Sequence, residues 1–298
     1  MEGIIVLNKP KDLTSHDCVN IVRKTLNTKH VGHAGTLDPL AEGVLVIGVG
    51  DVLKAFEYLT LDDKVYEFCV CFGKMTSTYD AEGIVIEEQT SQNITDEMVD
   101  DVLKSFIGTS KQMPPIYSAI KKDGKPLYQY ARENKEIDIE ARDVTIYELK
   151  RINSVYADEK YQYVDLYAHV SKGTYIRSLA YDIGQKLKMP SSVCSLKRTS
   201  SGKFSIDDSI TLPDLEVGNF SLINIVPYLG FHNIEISCDN PLFRKIKNGM
   251  KIGMKEITES SDIICFTHQN NIFALYQYTI DENNPNNCFY KPMKVWQR

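Results

Sequence analysis

Apolar and polar positions follow two periods along most of this chain, and those periods predict its elements. Residues 65–72 alternate strictly, with Tyr66, Phe68, Val70 and Phe72 on one face and Val65, Glu67, Cys69 and Cys71 on the other, the signature of a strand. Residues 161–170 alternate likewise, with Val164, Leu166, Ala168 and Val170 inward, while residues 4–7 and the run Val44-Leu45-Val46-Ile47 are apolar throughout and also read as strands. Helical spacing follows four capping candidates. Ser15 precedes Val19, Val22 and Leu26; Asp51 precedes Val52, Ala55, Phe56 and Leu59; Thr95 precedes Val99, Val102, Leu103 and Phe106, with Gly108 as the stop. Thr174 precedes a stripe of Ile176, Leu179, Ala180, Ile183 and Leu187. Past Thr211 the pattern loosens around Pro213, Asp214, Glu216 and Gly218, although residues 222–229 are apolar enough to stay packed on what precedes them. Short strands at 263–266 and 272–278, joined around Asn270-Asn271, and a last strand ending at Lys294-Val295-Trp296 then form a separate small unit. The expected organisation is α+β, with a large domain over 1–235 and a small β domain over 236–298.

Composition narrows the class. A chain of 298 residues, 43% hydrophobic and 25% charged, can bury a substantial core. Its opening residues lack the basic flank and long apolar stretch of a signal peptide, and no later run reaches membrane-spanning length, so a cytoplasmic protein away from membranes is expected. Seven scattered cysteines without a C-x-x-C pair or matching histidine spacing suggest reduced structural thiols and no metal. The net charge of −6 argues against a nucleic-acid partner until its distribution is considered. Residues 171–203 carry Lys172, Arg177, Lys186, Lys188, Lys197, Arg198 and Lys203 against Asp182 alone, a local +6 that leaves −12 elsewhere. Acid concentrates at Asp80, Glu82, Glu87, Glu88, Asp96, Glu97, Asp100 and Asp101, which suits a face turned away from RNA.

Two segments carry candidate chemistry. Gly32-His33-Ala34-Gly35-Thr36-Leu37-Asp38-Pro39-Leu40-Ala41-Glu42-Gly43 confines one carboxylate and one imidazole among three glycines. Pro39 disfavours the helical region for Asp38, and the glycines permit close backbone approach by a ligand. An active-site loop and an ordinary turn with a capping Asp both fit this pattern. The stretch from Gln112 to Arg132 interleaves basic and aromatic residues around Asp123-Gly124, which suits an RNA-binding surface or a solvated hairpin with tyrosines on the core. Arg177 falls in a first helical turn, where the macrodipole disfavours a cation, so a nearby anion would explain it.

The 32–39 string resembles the G-H-x-G-x-L-D-P motif of the bacterial tRNA pseudouridine synthases of the TruB family. Three further strings match in family order: Lys64-Val65-Tyr66, Gly173-Thr174-Tyr175-Ile176-Arg177 and Ser195-Leu196-Lys197-Arg198. Residues 111–132 resemble the family's tRNA-gripping segment, and 236–298 loosely resemble its small PUA β-barrel. The resemblance implies a catalytic domain on a mixed, largely antiparallel sheet that isomerises uridine 55 in the T arm of tRNA. It implies Asp38, Tyr66 and Arg177 as catalytic residues, Arg177 keeping the Asp38 carboxylate charged. Leu196 would form an apolar wall and His33 stand beside a flipped nucleotide, with Lys9, Lys172, Tyr175, Lys197 and Arg198 as further substrate contacts. No cofactor, metal or protein partner is implied. Without the resemblance, Tyr66 and Leu196 would read as core, Arg177 as a surface charge and His33 as a turn residue.

Two positions depart from the family pattern. Asp12 replaces a glycine, which suggests a left-handed turn that Asp tolerates, and Glu42 replaces a small hydroxyl residue. An RNA-binding or RNA-folding protein with incidental chemistry, and the catalytic subunit of a guide-RNA particle, are the alternatives. A glycoside hydrolase would require a second carboxylate partnered with Asp38, and these motifs offer none.

Overall fold

The computed structural model describes residues 2–59, 63–91, 93–133, 135, 137–257, 261–282 and 284–296, the last stretch without the side chains of 285–287. The large domain contains β1 (Gly3–Lys9), α1 (Ser15–Thr25), β2 (Val31–Ala34), β3 (Glu42–Val49), β4 (Asp63–Phe72) and α2 (Asp96–Lys104). It continues with β5 (Gly108–Gln112), β6 (Arg142–Arg151), β7 (Gln162–Ser171), α3 (Ile176–Leu187) and β8 (Ser191–Ser201). The sheet order is β1-β3-β8-β4-β7-β6-β5, with β2 paired to β3. Only the short β8–β3 contact, Lys197 to Glu42 and Arg198 to Gly43, is parallel among these pairs. The expected mixed, largely antiparallel sheet is therefore present.

The alternating strands bury the faces their sequences suggested. Tyr66, Phe68, Val70 and Phe72 on β4 join Val164, Leu166, Ala168 and Val170 on β7 in one core with Val19 and Val22 of α1 and Leu179 and Ile183 of α3. On the second face of β4 Glu67 is exposed but Cys69 and Cys71 are buried, and the Cys69 sulfur lies 2.8 Å from that of Cys194 on β8.

Several helix boundaries differ from those expected. Thr14, not Ser15, caps α1 by accepting from Asp17 N, with Asp17 returning a bond to Thr14 N, which frees Ser15 to turn inward. Residues Gly50–Tyr58 form a 3₁₀ helix capped by Val49 without a side-chain bond, and Asp51 pairs with Lys54 at 2.9 Å instead of capping. Thr95 does cap α2, but that helix stops at Ser105, and Gly108, at φ 104, opens β5. Tyr175 is the N-cap residue of α3, again with no side-chain bond, so Thr174 has no capping role. The Asp123-Gly124 turn, with φ of 52 and 78, closes a hairpin between Lys121–Lys122 and Lys125–Pro126.

A second sheet runs His232–Glu235, Ile263–His268, Asn271–Asp281, Asn284–Val295, Ile252–Gly253, its first pair parallel. It already includes the strand that ends at residue 235. Its Cys265, Ile272 and Leu275, together with Trp296, pack on Ile4 and Val6 of β1 and Val44 and Val46 of β3. Trp296 Nε1 donates to the Asp51 carbonyl at 3.0 Å, and Lys294 pairs with Glu57 at 2.7 Å. The small domain thus covers the outer face of the strand pair whose inner face carries the main core. Among the described residues no helix is long and apolar enough to cross a membrane.

Trp296 is fully buried at this junction. Trp296→Ala is expected to lower the unfolding free energy by about 3–5 kcal/mol, measured by urea denaturation of the full chain. An unchanged midpoint would show that the contact between the two sheets carries no stability.

Candidate active site

A cleft of about 350 Å³ opens where the loop after β2, the start of β4 and the start of α3 converge. Its volume lies within the range of small-molecule pockets. Asp38 stands in the β2–β3 loop, where the Ala41 amide donates to the Asp38 carbonyl at 3.1 Å and closes a turn. Leu37 and Leu40 on either side are buried in the main core and peg the loop down. Ser15 fastens it further, its hydroxyl accepting from Leu37 N at 2.9 Å and donating to Leu37 O at 3.1 Å.

Lys9, expected to contact substrate, is buried in support of this loop instead, and Arg198, expected likewise, supports the loop from the cleft wall. Lys9 is fully buried and its ammonium donates to the carbonyls of Pro10 at 2.9 Å, Leu13 at 2.6 Å and Pro39 at 3.2 Å. All three of its donors are used, and burial holds its pKa below the ordinary lysine value. Asp12 adopts φ 67, the left-handed turn anticipated for it, and its amide also donates to Pro39 O. Arg198 forms part of the cleft wall, yet its guanidinium donates to Val44 O at 2.8 Å, Gly35 O at 2.7 Å and Thr36 O at 3.5 Å. Gly43 likewise accommodates the protein's own backbone. A Cβ on Gly43, at φ 100, would fall 2.1 Å from the Arg198 carbonyl, where β3 and β8 run parallel.

Arg177 lies at the floor. Its Nε approaches Asp38 Oδ2 at 2.9 Å and its Nη1 approaches Asp80 Oδ2 at 3.4 Å, while Nη1 donates to Thr78 O at 3.0 Å and Nη2 to Tyr117 O at 2.8 Å. The Arg177 and Asp80 side chains are 5% and 4% exposed, whereas Asp38 keeps 35% on the open side. The anion that the first helical turn called for is present twice. Burial raises the pKa of Asp38 above the usual carboxylate range, Arg177 opposes that shift, and Asp80 reinforces it. The pairing therefore moderates the cost of desolvation without overcoming it. Glu82, near both carboxylates, is raised as well, first by burial.

Asp80 was expected on an acidic outer face. It is instead a buried partner of Arg177, and its neighbours Glu82, Glu87 and Glu88 disguised it within an acid run. Gln112 was also missed: its amide accepts from Tyr175 N at 2.8 Å and donates to Tyr175 O at 3.0 Å, fixing the start of α3. The aromatic and apolar walls include Tyr66, Tyr175, Ile176, Leu196 and Ile120, so Tyr66, Tyr175 and Leu196 are brought together with Asp38. Burial raises the Tyr175 phenol.

His33 is not among the residues lining the cleft. It pairs across to Ile47 on β3, its Nδ1 is buried, and burial lowers its pKa, which favours the neutral ring. Lys172 is exposed beside the rim residue Gly173. Lys197 is exposed on the opposite face from Leu196, between Glu67 and Glu42 in register. Lys186 turns toward α2, donating to Ser105 Oγ and covering the Phe106 ring at 4.2 Å. No group of three or more His, Cys, Asp or Glu among the described residues is arranged to hold a metal ion.

The family profile described as TruB family pseudouridylate synthase, N terminal domain, matches residues 23–176, which include Asp38, Tyr66 and Tyr175. The chain belongs to the TruB family. A relative named tRNA pseudouridine synthase B from Oceanobacillus iheyensis is 40% identical, over 99% of this chain and 98% of its own length. Another of that name from Thermosipho melanesiensis is 44% identical over 88% of this chain and 84% of its own length. A solved Cbf5-Nop10-Gar1 complex contains a chain with TM-score 0.65 and 21% identity, covering 99% of this chain and 84% of that one. An H/ACA RNP bound to a substrate RNA containing 2'-deoxyuridine gives TM-score 0.66 at 20% identity, with 99% and 85% covered. These two show a shared fold. In this TruB family member the matched profile ends one residue before Arg177, so the ion pair joins the profiled segment to the helix beyond it.

Replacing Lys9 with Met would remove the ammonium that the Pro10 and Leu13 carbonyls accept from and leave Pro39 O with the Asp12 amide. The expected loss of unfolding free energy is about 2–4 kcal/mol, read by urea denaturation. Wild-type stability would refute the scaffolding role.

Proposed function

We propose that this chain isomerises uridine 55 in the T arm of tRNA to pseudouridine, with Asp38, Tyr66 and Arg177 as its catalytic residues. The observation that carries the reading is the carboxylate of Asp38, held by Arg177 at 2.9 Å, at the floor of a cleft with aromatic and apolar walls. The tRNA substrate is supported by the names of the full-length relatives.

The isomerisation breaks the N1–C1′ bond, turns the uracil and joins its C5 to C1′; C5 gives up a proton and N1 gains one, so atoms balance without a donor or redox partner. No cofactor is assigned. Asp38 acts as nucleophile or base, and Arg177 both orients it and limits its protonation. Tyr66, Tyr175 and Leu196 shape a pocket for a base removed from its stack. His33, outside the cleft lining, is assigned a place beside the extracted nucleotide, and Lys172 meets a backbone phosphate at the rim. Residues 111–132 supply the cleft wall at Ser118, Ala119 and Ile120 and an RNA grip beyond it. We divide the domains ahead of His232 and assign the second sheet a PUA-like RNA contact.

A stand-alone cytoplasmic enzyme without protein partners is favoured over a guide-RNA subunit by the 40% identity across nearly the whole chain to tRNA pseudouridine synthase B. Carbodiimide mapping of pseudouridine in unmodified tRNA, after incubation with the purified protein alone, tests both points. Absence of the modification without added guide RNA or protein would overturn the stand-alone reading.

Asp38→Asn is expected to retain tRNA binding and to lose at least about a thousandfold in single-turnover rate. Arg177→Ala is expected to be nearly inactive and Arg177→Lys to recover little, because an ammonium cannot reproduce four contacts from a planar fork. A wild-type rate in Arg177→Ala would remove the ion pair from the mechanism.

Because burial raises Asp38, its ionised form is lost on acidification at a higher pH than for an ordinary aspartate. The acid limb of kcat/KM should therefore lie above the usual carboxylate range, which a pH–rate profile measures. Salt dependence of tRNA affinity separates the cations. Lys172→Ala should reduce the slope of log affinity against log salt by roughly one, whereas Lys197→Ala, between two acids on the other face, should leave it unchanged.

A further inference from the structure

Tyr79 adopts φ 60, a left-handed conformation that costs an L-residue about 1–2 kcal/mol and that glycine would adopt freely. Its ring stacks on Tyr181, with centroids 4.4 Å apart and planes within 19°. Tyr181 lies four residues after Arg177 on α3, so the two side chains project from one helical face a turn apart. Tyr79 is flanked by Thr78 and Asp80, and these two residues hold Arg177 Nη1. The helix thus grips the 78–80 turn at two adjacent points, by charge through Arg177 and by ring contact through Tyr181. On its other side the turn is tied to β8, where Val193 N donates to Tyr79 O at 3.0 Å. Neither tyrosine lines the cleft.

We propose that the Tyr79–Tyr181 stack is a positioning device that sets the height of the Thr78–Asp80 turn against α3 and thereby aims Arg177 at Asp38. The strained backbone is retained because a glycine would remove the ring that the device needs. Without the stack, Thr78 O and Asp80 withdraw from Nη1, and the guanidinium is held only at Tyr117 O and Asp38. A small displacement at that distance from the reacting atoms is enough to reduce turnover without altering substrate affinity. The effect on turnover rests on the catalytic reading given above.

The test compares Tyr79→Gly, Tyr181→Ala, Tyr79→Phe and Tyr181→Phe with the wild type, using kcat and KM on unmodified tRNA and thermal unfolding. In parallel, the Arg177 Nε–H signal is followed by hydrogen exchange in ¹⁵N-arginine-labelled protein, assigned by its loss in Arg177→Lys. The Phe variants, which keep the rings, are expected within about twofold of wild type in kcat. Tyr79→Gly and Tyr181→Ala are expected to lose on the order of tenfold to a hundredfold in kcat, with KM within about twofold. Tyr79→Gly relieves the backbone strain, so its kcat should fall without the loss of thermal stability that a merely structural role would entail. A wild-type kcat in Tyr79→Gly, or an equal loss in the Phe variants, would overturn the proposal. If the wild type forms no pseudouridine, the functional reading fails and the exchange measurement alone decides. Exchange at Arg177 Nε–H about tenfold faster in Tyr79→Gly supports the device, and an unchanged rate overturns it.

Discussion

The buried guanidinium of Arg177 is the constraint around which the cleft is organised. A cation withdrawn from water is costly unless its donors are satisfied, and here two carboxylates and two carbonyls from three separate segments converge on it. The positions of the Asp38 loop, the 78–80 turn and the 112–118 stretch are thereby set relative to one another. Two carboxylates facing one guanidinium leave an excess of negative charge. Together with desolvation, that excess raises the Asp38 pKa despite its partner. The arrangement fixes the geometry of Asp38 while leaving its ionisation opposed by burial.

Below this centre, cations act as backbone clamps. Lys9 gathers the turn after β1 and the Pro39 carbonyl, and Arg198 gathers β3 and the Gly35-Thr36 backbone. Both are withdrawn from solvent and donate to backbone carbonyls, Arg198 from within the cleft wall. The loop that carries Asp38 is consequently held by side chains on β1, α1 and β8, and rigidity of this kind keeps a reacting group within the narrow range that catalysis requires. The second sheet extends the same support, because it closes the outer face of β1 and β3. Its contribution is to the stability of the strands beneath the site as well as to any RNA contact.

Local pattern in the sequence determined a large share of this architecture. The inward faces of β4 and β7 follow from period-two alternation, the stripe of α3 from helical spacing, and the exposed turn at Asp123-Gly124 from the conformations those residues accept. The turn at Asp38-Pro39 and the left-handed Asp12 were legible for the same reason: each depends on the residue and its immediate neighbours. The misplaced caps at Ser15, Asp51 and Thr174 mark the limit of that legibility, since neighbouring polar residues compete for one capping position and the inward turn of Ser15 is settled by Leu37, 22 residues away.

Only the tertiary structure decided which charges face a ligand. Lys9, Lys197 and Arg198 look alike in sequence as basic residues expected to contact substrate, yet one is clamped at the core, one lies between acids on the far face, and one is spread over three carbonyls. Asp80 looked like one acid among many and is the second partner of Arg177, 97 residues further along the chain. The physical reason is that periodicity reports whether a local face is buried, whereas the cost of burying a charge depends on groups that chain topology brings from far away. The sequence by itself determined the alternating strands, the apolar stripes of the helices and a glycine-flanked loop around one carboxylate; folding decided what that carboxylate and its neighbours are held against.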